Sequence, residues 1–147
     1  MRVVVDTNVW VSALLNPAGG PARVLRAYQD GRFELVGSED AFDEVRRVLA
    51  RPRIAKKYAI PSPMADEYVA LLRERADLHA PTPAAKVARD PDDDRWIDLA
   101  IEGRADALVS RDGDVLAQEV TDYLEAHGVR VLTVQRFLDH LGGKGHP

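Results

Sequence analysis

Four acidic residues that are far apart in the chain have positions that could gather them around one cation. The four residues are Asp6, Glu44, Asp93 and Asp112. Asp6 directly follows an apolar run at residues 3–5, and Asp112 follows a second apolar run at 107–109. If both runs are parallel strands and neighbours in one sheet, their carboxyl ends meet at the same edge and the two carboxylates can converge.

Glu44 is selected by its position on a predicted amphipathic helix. Ser38 is a suitable N-cap for this helix, which is predicted to end near Ala50, before Pro52. The apolar positions of the helix, which are 41, 45, 48 and 49, recur at helical spacing and mark the buried stripe. Glu44 falls on the flank of that stripe, whereas the helix's other acids, at 39, 40 and 43, point further away.

Asp93 is selected by the same periodicity in the acidic stretch DPDDD. A helix over 93–104 would bury Ile97 and Ala100, which lie four and seven residues after Asp93 and share its face. Asp94 and Asp98 are predicted to face solvent. The helix dipole would also favour a negative charge in the first turn.

Gathering these carboxylates inside a fold requires a compensating charge, because buried anions are costly and repel one another. A divalent cation would supply it, and oxygen ligands without cysteine favour magnesium or manganese over zinc. The four histidines have no metal-ligand spacing. Each acid alone also has an ordinary explanation: a helix cap for Asp6, a helix surface for Glu44, a helix N-terminus for Asp93 and a turn for Asp112.

The remaining pattern alternates strands with helices, which predicts an α/β fold with a mainly parallel sheet covered on both faces. Strands are predicted at 3–5, 33–36, near 78, 107–109 and 129–134. Helices are predicted at 9–15, 22–30, 38–50, 52–59, 62–76, 93–104, 114–127 and 135–141. We expect one domain over residues 1–141 and a disordered tail at 142–147. The order of the strands does not follow from the sequence.

Composition limits the class of protein. The chain has 147 residues, no cysteine and a formal net charge of −4, which argues against binding nucleic acid by bulk electrostatics. Residues 46–57 nevertheless carry six basic residues and no acid, and either guide a phosphate backbone or form a solvated surface. Neither a signal peptide nor a membrane span is predicted, so we expect a cytoplasmic protein.

Several stretches together resemble the PIN-domain family, which includes the VapC-type toxins of toxin–antitoxin pairs. They are VVVDTNVWVSALL, SEDAFDEVRRVLARP, RDPDDDRWIDLAIEGRADALVSRDGDVL and VLTVQRFLDHL. The resemblance implies a three-layer α/β/α sandwich and Mg²⁺- or Mn²⁺-dependent endonucleolytic cleavage of single-stranded RNA. It also implies a protein antitoxin as partner and a homodimer, for which helices 22–30 and 62–76 are candidate contacts.

The family's four acids match Asp6, Glu44, Asp93 and Asp112 as metal ligands and catalytic residues. Residues expected close to the substrate are Thr7, Asn8, Ser110 and Arg111, and Asn8 is a candidate hydrogen-bond donor to Asp6. Two positions depart from the family's pattern, because Asp94 replaces an asparagine and Arg111 replaces a glycine. The sequence therefore leaves open whether Asp94 shares the role of Asp93, and whether one or two ions bind.

Three alternatives remain beside the nuclease. The first is a PIN domain that binds RNA or a partner with a cation but does not cut. A second, an aspartyl-nucleophile phosphatase, would need an acid where Asn8 stands. A third, a receiver-like signalling domain, would need a phosphorylatable aspartate after a central strand and a lysine near the last strands, and neither is convincing.

Overall fold

A five-stranded parallel sheet forms the centre of the computed structural model, which describes residues 1–111 and 116–143. The strands are β1 (Arg2–Val5), β2 (Glu34–Gly37), β3 (Asp77–Leu78), β4 (Ala107–Val109) and β5 (Arg130–Leu132). Their order across the sheet is β3-β2-β1-β4-β5, and every neighbouring pair is parallel. The strand β1 is therefore central and has β2 and β4 as its two neighbours.

Helices cover both faces of this sheet. They are α1 (Thr7–Leu15), α2 (Gly20–Gln29), α3 (Glu39–Leu49), α4 (Pro52–Lys57), α5 (Ser62–Glu74), α6 (Asp94–Glu102), α7 (Gln118–Ala126) and α8 (Val134–Gly143). A 3-10 turn at Pro91–Asp93 leads into α6. Among the helices in the described ranges, none has the length and apolar character that crossing a membrane would take.

Alternation along β1 divides the core into two layers. Val3 and Val5 pack into a cluster with side chains of α1, α2, α3, α5 and α8, whereas Val4 packs with side chains of α6 and α7. Successive strand residues point to opposite faces of the sheet, so the side chains of β1 contribute to both layers of the core. The result is the three-layer α/β/α architecture, which confirms the predicted fold class.

The predicted elements all occur, but some of their ends differ. The helix α1 begins at Thr7 rather than at residue 9, and α6 begins at Asp94, after a 3-10 turn. The helix α7 begins at Gln118 rather than at 114, although residues 112–115 lie outside the described residues. The helix α8 reaches Gly143, beyond the predicted domain end at 141, and residues 144–147 also lie outside.

Candidate functional site

Asp6 lies at the carboxyl end of the central strand β1. This strand is paired with β4, which is the arrangement that the sequence analysis needed if residues after the two strands were to meet. Its backbone N–H donates to the Val109 carbonyl at 3.0 Å. Its side chain is only 4% exposed, and Ser110 Oγ donates to Asp6 Oδ2 at 2.8 Å. Asp6 occupies the N-cap position of α1, yet its side chain forms no capping hydrogen bond. Helix capping therefore does not explain this buried carboxylate.

The two residues after Asp6 differ in their surroundings. Thr7 is buried, and its Oγ1 has no hydrogen-bond partner among residues 1–111 and 116–143. Asn8 is exposed. Ser110 is the observed side-chain donor to the Asp6 carboxylate, and the role of Asn8 in orienting Asp6 stays a prediction.

Asp93 lies at the N-terminus of α6, a helix that packs against β1. It is 9% exposed, as the helical spacing predicted, and it takes the N-cap position of α6 without forming a side-chain cap. The preceding 3-10 turn is capped by Asp90, whose Oδ1 accepts from the Asp92 N–H at 3.0 Å. Both Asp6 and Asp93 thus place a buried carboxylate at a helix N-terminus, where the helix dipole favours negative charge.

Asp94 and Asp98 do not point to solvent, and that prediction is wrong. Asp98 is 7% exposed and accepts hydrogen bonds from two consecutive backbone N–H groups, and Asp94 Oδ1 accepts from two more. The donors are Ala84 (3.2 Å), Ala85 (2.9 Å), Val87 (3.0 Å) and Ala88 (2.8 Å). These two acids fasten segment 84–88 to α6, a role that helical periodicity does not reveal because the donors belong to an irregular segment.

Glu44 forms an ion pair with Arg95, which joins α3 to α6. The Glu44 side chain is 24% exposed and that of Arg95 is 39% exposed, so neither is fully solvated. The guanidinium carbon of Arg95 also lies 5.2 Å from the centroid of the Trp96 ring. Sequence reasoning missed Arg95, because residues two apart on a helix do not share a face and its partner lies on another helix.

The charge of Arg95 also interacts with acids beyond Glu44. Burial lowers the pKa of Arg95 from its ordinary value, while the negative charges of Asp40 and Asp6 oppose that shift. An arginine stays protonated despite such a shift. Arg95 is therefore a fixed positive charge close enough to act on Asp6, Asp40 and Glu44 together.

Three of the four predicted acids, Asp6, Glu44 and Asp93, lie within the described residues. Asp112 lies outside them, so its position is not described. Arg111 Nη1 donates to Ser12 Oγ at 3.1 Å, which ties the segment before Asp112 to α1. Within residues 1–111 and 116–143, no three acidic or histidine side chains are arranged to share a metal ion. The donors that are present are hard oxygens, including the unpartnered Thr7 hydroxyl, and their chemistry fits magnesium or manganese.

A cavity of about 520 Å³ lies between the start of α3, segment 79–86 and α6, and its lining does not include Asp6, Glu44 or Asp93. Its lining includes Asp40, Lys86, Arg95 and Trp96. The cavity has a volume in the range of small-molecule sites and combines apolar walls with charged groups. Arg95, which pairs with Glu44, is the link between this cavity and the predicted acids.

Comparison with known proteins agrees with this architecture. Residues 2–114 match the family model described as the PIN domain. A protein of Methanocaldococcus jannaschii that is described as uncharacterized is 25% identical over 142 residues, which cover 95% of this chain and 90% of that protein. PIN domains are commonly nucleases, and they generally use divalent metal ions and bind RNA. Because the match extends over most of the chain, this protein belongs to the PIN-domain family.

Proposed function

We propose that this protein is a metal-dependent endoribonuclease that hydrolyses phosphodiester bonds in single-stranded RNA. The observation that carries the proposal is the pair of buried carboxylates, Asp6 and Asp93, at helix N-cap positions that neither side chain caps. Burying a carboxylate costs stability even where hydrogen bonds offset part of the cost, and buried ionisable groups are typical of functional sites. Because this protein belongs to the PIN-domain family, nuclease activity is the first hypothesis to test.

Asp6, Glu44, Asp93 and Asp112 would hold Mg²⁺ or Mn²⁺ in this proposal. When bound, a divalent cation lowers the pKa of its water and offsets negative charge on the scissile phosphate. The hydrogen bond from Ser110 fixes the orientation of the Asp6 carboxylate. We assign Asp94 to holding segment 84–88 rather than the cation, because its Oδ1 accepts two backbone N–H groups.

The RNA would approach across residues on both sides of the acids. Thr7, Asn8, Ser110 and Arg111 are the proposed substrate contacts, and the exposed Asn8 side chain is accessible for such contact. The basic segment that continues from α3 into α4 adds a second surface. Its exposed side chains are Arg47, Arg51, Arg53, Lys56 and Lys57. Because the whole chain has a net charge of −4, phosphate contacts must be local to this segment.

We further propose the toxin role, with a protein antitoxin as partner, a homodimer and a cytoplasmic location. The resemblance to VapC-type toxins supports these points. The helix α5, which was a candidate dimer contact, exposes the apolar side chains Met64 and Leu71. These two side chains lie seven positions apart and so share one face of the helix, which is the face we propose for the dimer contact.

A cleavage assay on purified full-length protein tests the proposal. With single-stranded RNA and Mn²⁺, Asp6→Asn and Asp93→Asn should each abolish cleavage while the thermal unfolding transition remains cooperative. Asp43→Asn is the matched control, because Asp43 is exposed and adjoins Glu44 on α3. Full activity in either site variant, or activity that survives exhaustive EDTA treatment, would refute the mechanism.

One observation favours a second candidate function. Glu44 is already paired with Arg95 and is therefore less available to hold a catalytic cation. This arrangement favours a PIN domain that binds RNA or a partner without cutting. That alternative predicts cation-dependent RNA retention in a filter-binding assay, with no shortened RNA fragments in the cleavage assay.

A further inference from the structure

Arg95 places a positive charge among the acids that the proposed function assigns to a cation. It forms an ion pair with Glu44 across the boundary between α6 and α3. The negative charges of Asp6 and Asp40 also stabilise the protonated guanidinium of Arg95. Arg95 therefore supplies, in part, the neutralisation that the acidic cluster needs.

The hydrogen bonding of Arg95 is incomplete, and Arg2 provides the contrast. The guanidinium of Arg2 donates to Asp77, Glu34 and the Gly103 carbonyl. Arg95 Nε, by contrast, is buried and has no hydrogen-bond partner within residues 1–111 and 116–143. A buried donor without an acceptor destabilises the arrangement that holds it. The Arg95–Glu44 pair is consequently less firmly held than a fully satisfied structural pair such as that of Arg2.

Glu44 cannot serve two cations equally. Its carboxylate pairs with Arg95, and the described residues contain no ready three-ligand metal site. A divalent cation at the acids would be repelled by the nearby guanidinium and would draw on the same carboxylate. Binding of the cation and the Arg95–Glu44 pair must then oppose each other, and by linkage each weakens the other to the same extent.

We propose that Arg95 is an internal counter-ion that competes with the divalent cation for Glu44 and so sets the metal affinity of the site. This inference rests on the proposed function, because it takes the acids to be a cation site. Arg95 acts through Glu44 and is a positioning residue. In the absence of a cation, the positive charge of Arg95 offsets part of the negative charge of the acids and so stabilises the folded protein. When the cation binds, the guanidinium is released toward the cavity that it lines.

Isothermal titration of the metal-stripped full chain with Mn²⁺ tests the proposal. Arg95→Gln should bind Mn²⁺ at least about fivefold more tightly than the wild type, the lower end of typical coupling between sites. Arg95→Lys, which keeps the charge, should stay near the wild type. Arg46→Gln is the matched control, since it removes an equal charge from an ion pair with Asp66 on α5 and should leave the affinity unchanged. Equal or weaker binding by Arg95→Gln would overturn the inference.

A second measurement uses the unaltered chain in case Arg95→Gln does not fold. In a heteronuclear NMR titration with Mg²⁺, the Arg95 Nε–Hε resonance should move and saturate together with the cation. A resonance that stays fixed while Mg²⁺ binds would contradict competition.

The two proposals fail in different ways. If the wild type cleaves RNA but binds Mn²⁺ no more weakly than Arg95→Gln, only the counter-ion role of Arg95 is refuted. A wild type that neither binds Mn²⁺ nor cleaves RNA removes both proposals.

Discussion

At the residue scale, the orientation of Asp6 depends on a hydrogen bond from a serine that lies 104 positions away. Ser110 is fully buried at the end of β4, and its Oγ donates to Asp6 Oδ2 at 2.8 Å. Without this donor the carboxylate would lose both a partner and a fixed orientation. A buried anion that loses a hydrogen bond also becomes more costly to keep charged.

We predict that Ser110→Ala lowers cation-dependent RNA cleavage by about 10- to 100-fold, the range usual for residues that orient a metal ligand. Mn²⁺ titration should show a parallel loss of affinity. Ser62→Ala, at the exposed start of α5, serves as the control. Unchanged cleavage and affinity in Ser110→Ala would show that Asp6 is held by other contacts.

Helical spacing was sufficient to predict the burial of Asp93, because burial on a helix repeats with the periodicity of the apolar residues. It failed for Asp98, whose carboxylate is buried against backbone N–H groups rather than against side chains. Arg95 was missed because its partner, Glu44, lies on another helix. Contacts between distant elements leave no periodic signal in a sequence.

At the element scale, the first half of α6 fixes an irregular segment beside the cavity. Asp98 accepts from the N–H groups of Ala84 and Ala85, and Asp94 accepts from those of Val87 and Ala88. Hydrogen bonds to a charged acceptor are stronger than neutral ones. The cavity wall at 84–88 therefore depends on the charge of these two side chains.

We expect Asp98→Asn to destabilise the protein by about 1.5–3 kcal/mol, because two backbone donors lose a charged acceptor. Hydrogen exchange should report the change locally, with faster exchange at the amides of Ala84 and Ala85. The exposed Asp139 on α8 offers a control as Asp139→Asn, which should leave those amides protected. If their exchange is the same in Asp98→Asn, the fastening role is wrong.

Element types followed well from the sequence, since the strands other than β3 contain short apolar runs and most of the long helices are amphipathic. Ser38 caps α3 as predicted, with Oγ accepting from the Ala41 N–H at 3.1 Å. The order β3-β2-β1-β4-β5 did not follow, because strand neighbours are determined by packing between distant segments. The convergence of Asp6 with residues after β4 depended on that order.

At the scale of the whole molecule, Arg2 ties three strands and a helix end together. Its guanidinium contacts Glu34 at the start of β2, Asp77 in β3 and the carbonyl of Gly103 after α6. Hydrogen bonds from Arg2 and His79 lower the pKa of Asp77 below its ordinary value. A carboxyl whose pKa falls on folding stabilises the native state when it is ionised and stops doing so once it is protonated.

Asp77→Asn should therefore lower the free energy of unfolding at pH 7 by about 1 kcal/mol or less, since this pair is partly exposed. The difference from the wild type should persist above the unfolded pKa and diminish as the pH falls below it through the lower folded pKa. Urea unfolding of both proteins between pH 7 and pH 3 measures this. A difference that stays constant down to pH 3 would exclude ionised Asp77 as its source.

The central claim is that acids from separate parts of the fold converge on a divalent cation. A crystal structure of the protein with Mn²⁺, with anomalous diffraction data, tests it most directly. The account predicts an anomalous peak at bonding distance from carboxylate oxygens of both Asp6 and Asp93, with Asp94 still bound to segment 84–88. A peak that contacts neither Asp6 nor Asp93, or no peak at saturating Mn²⁺, would contradict it.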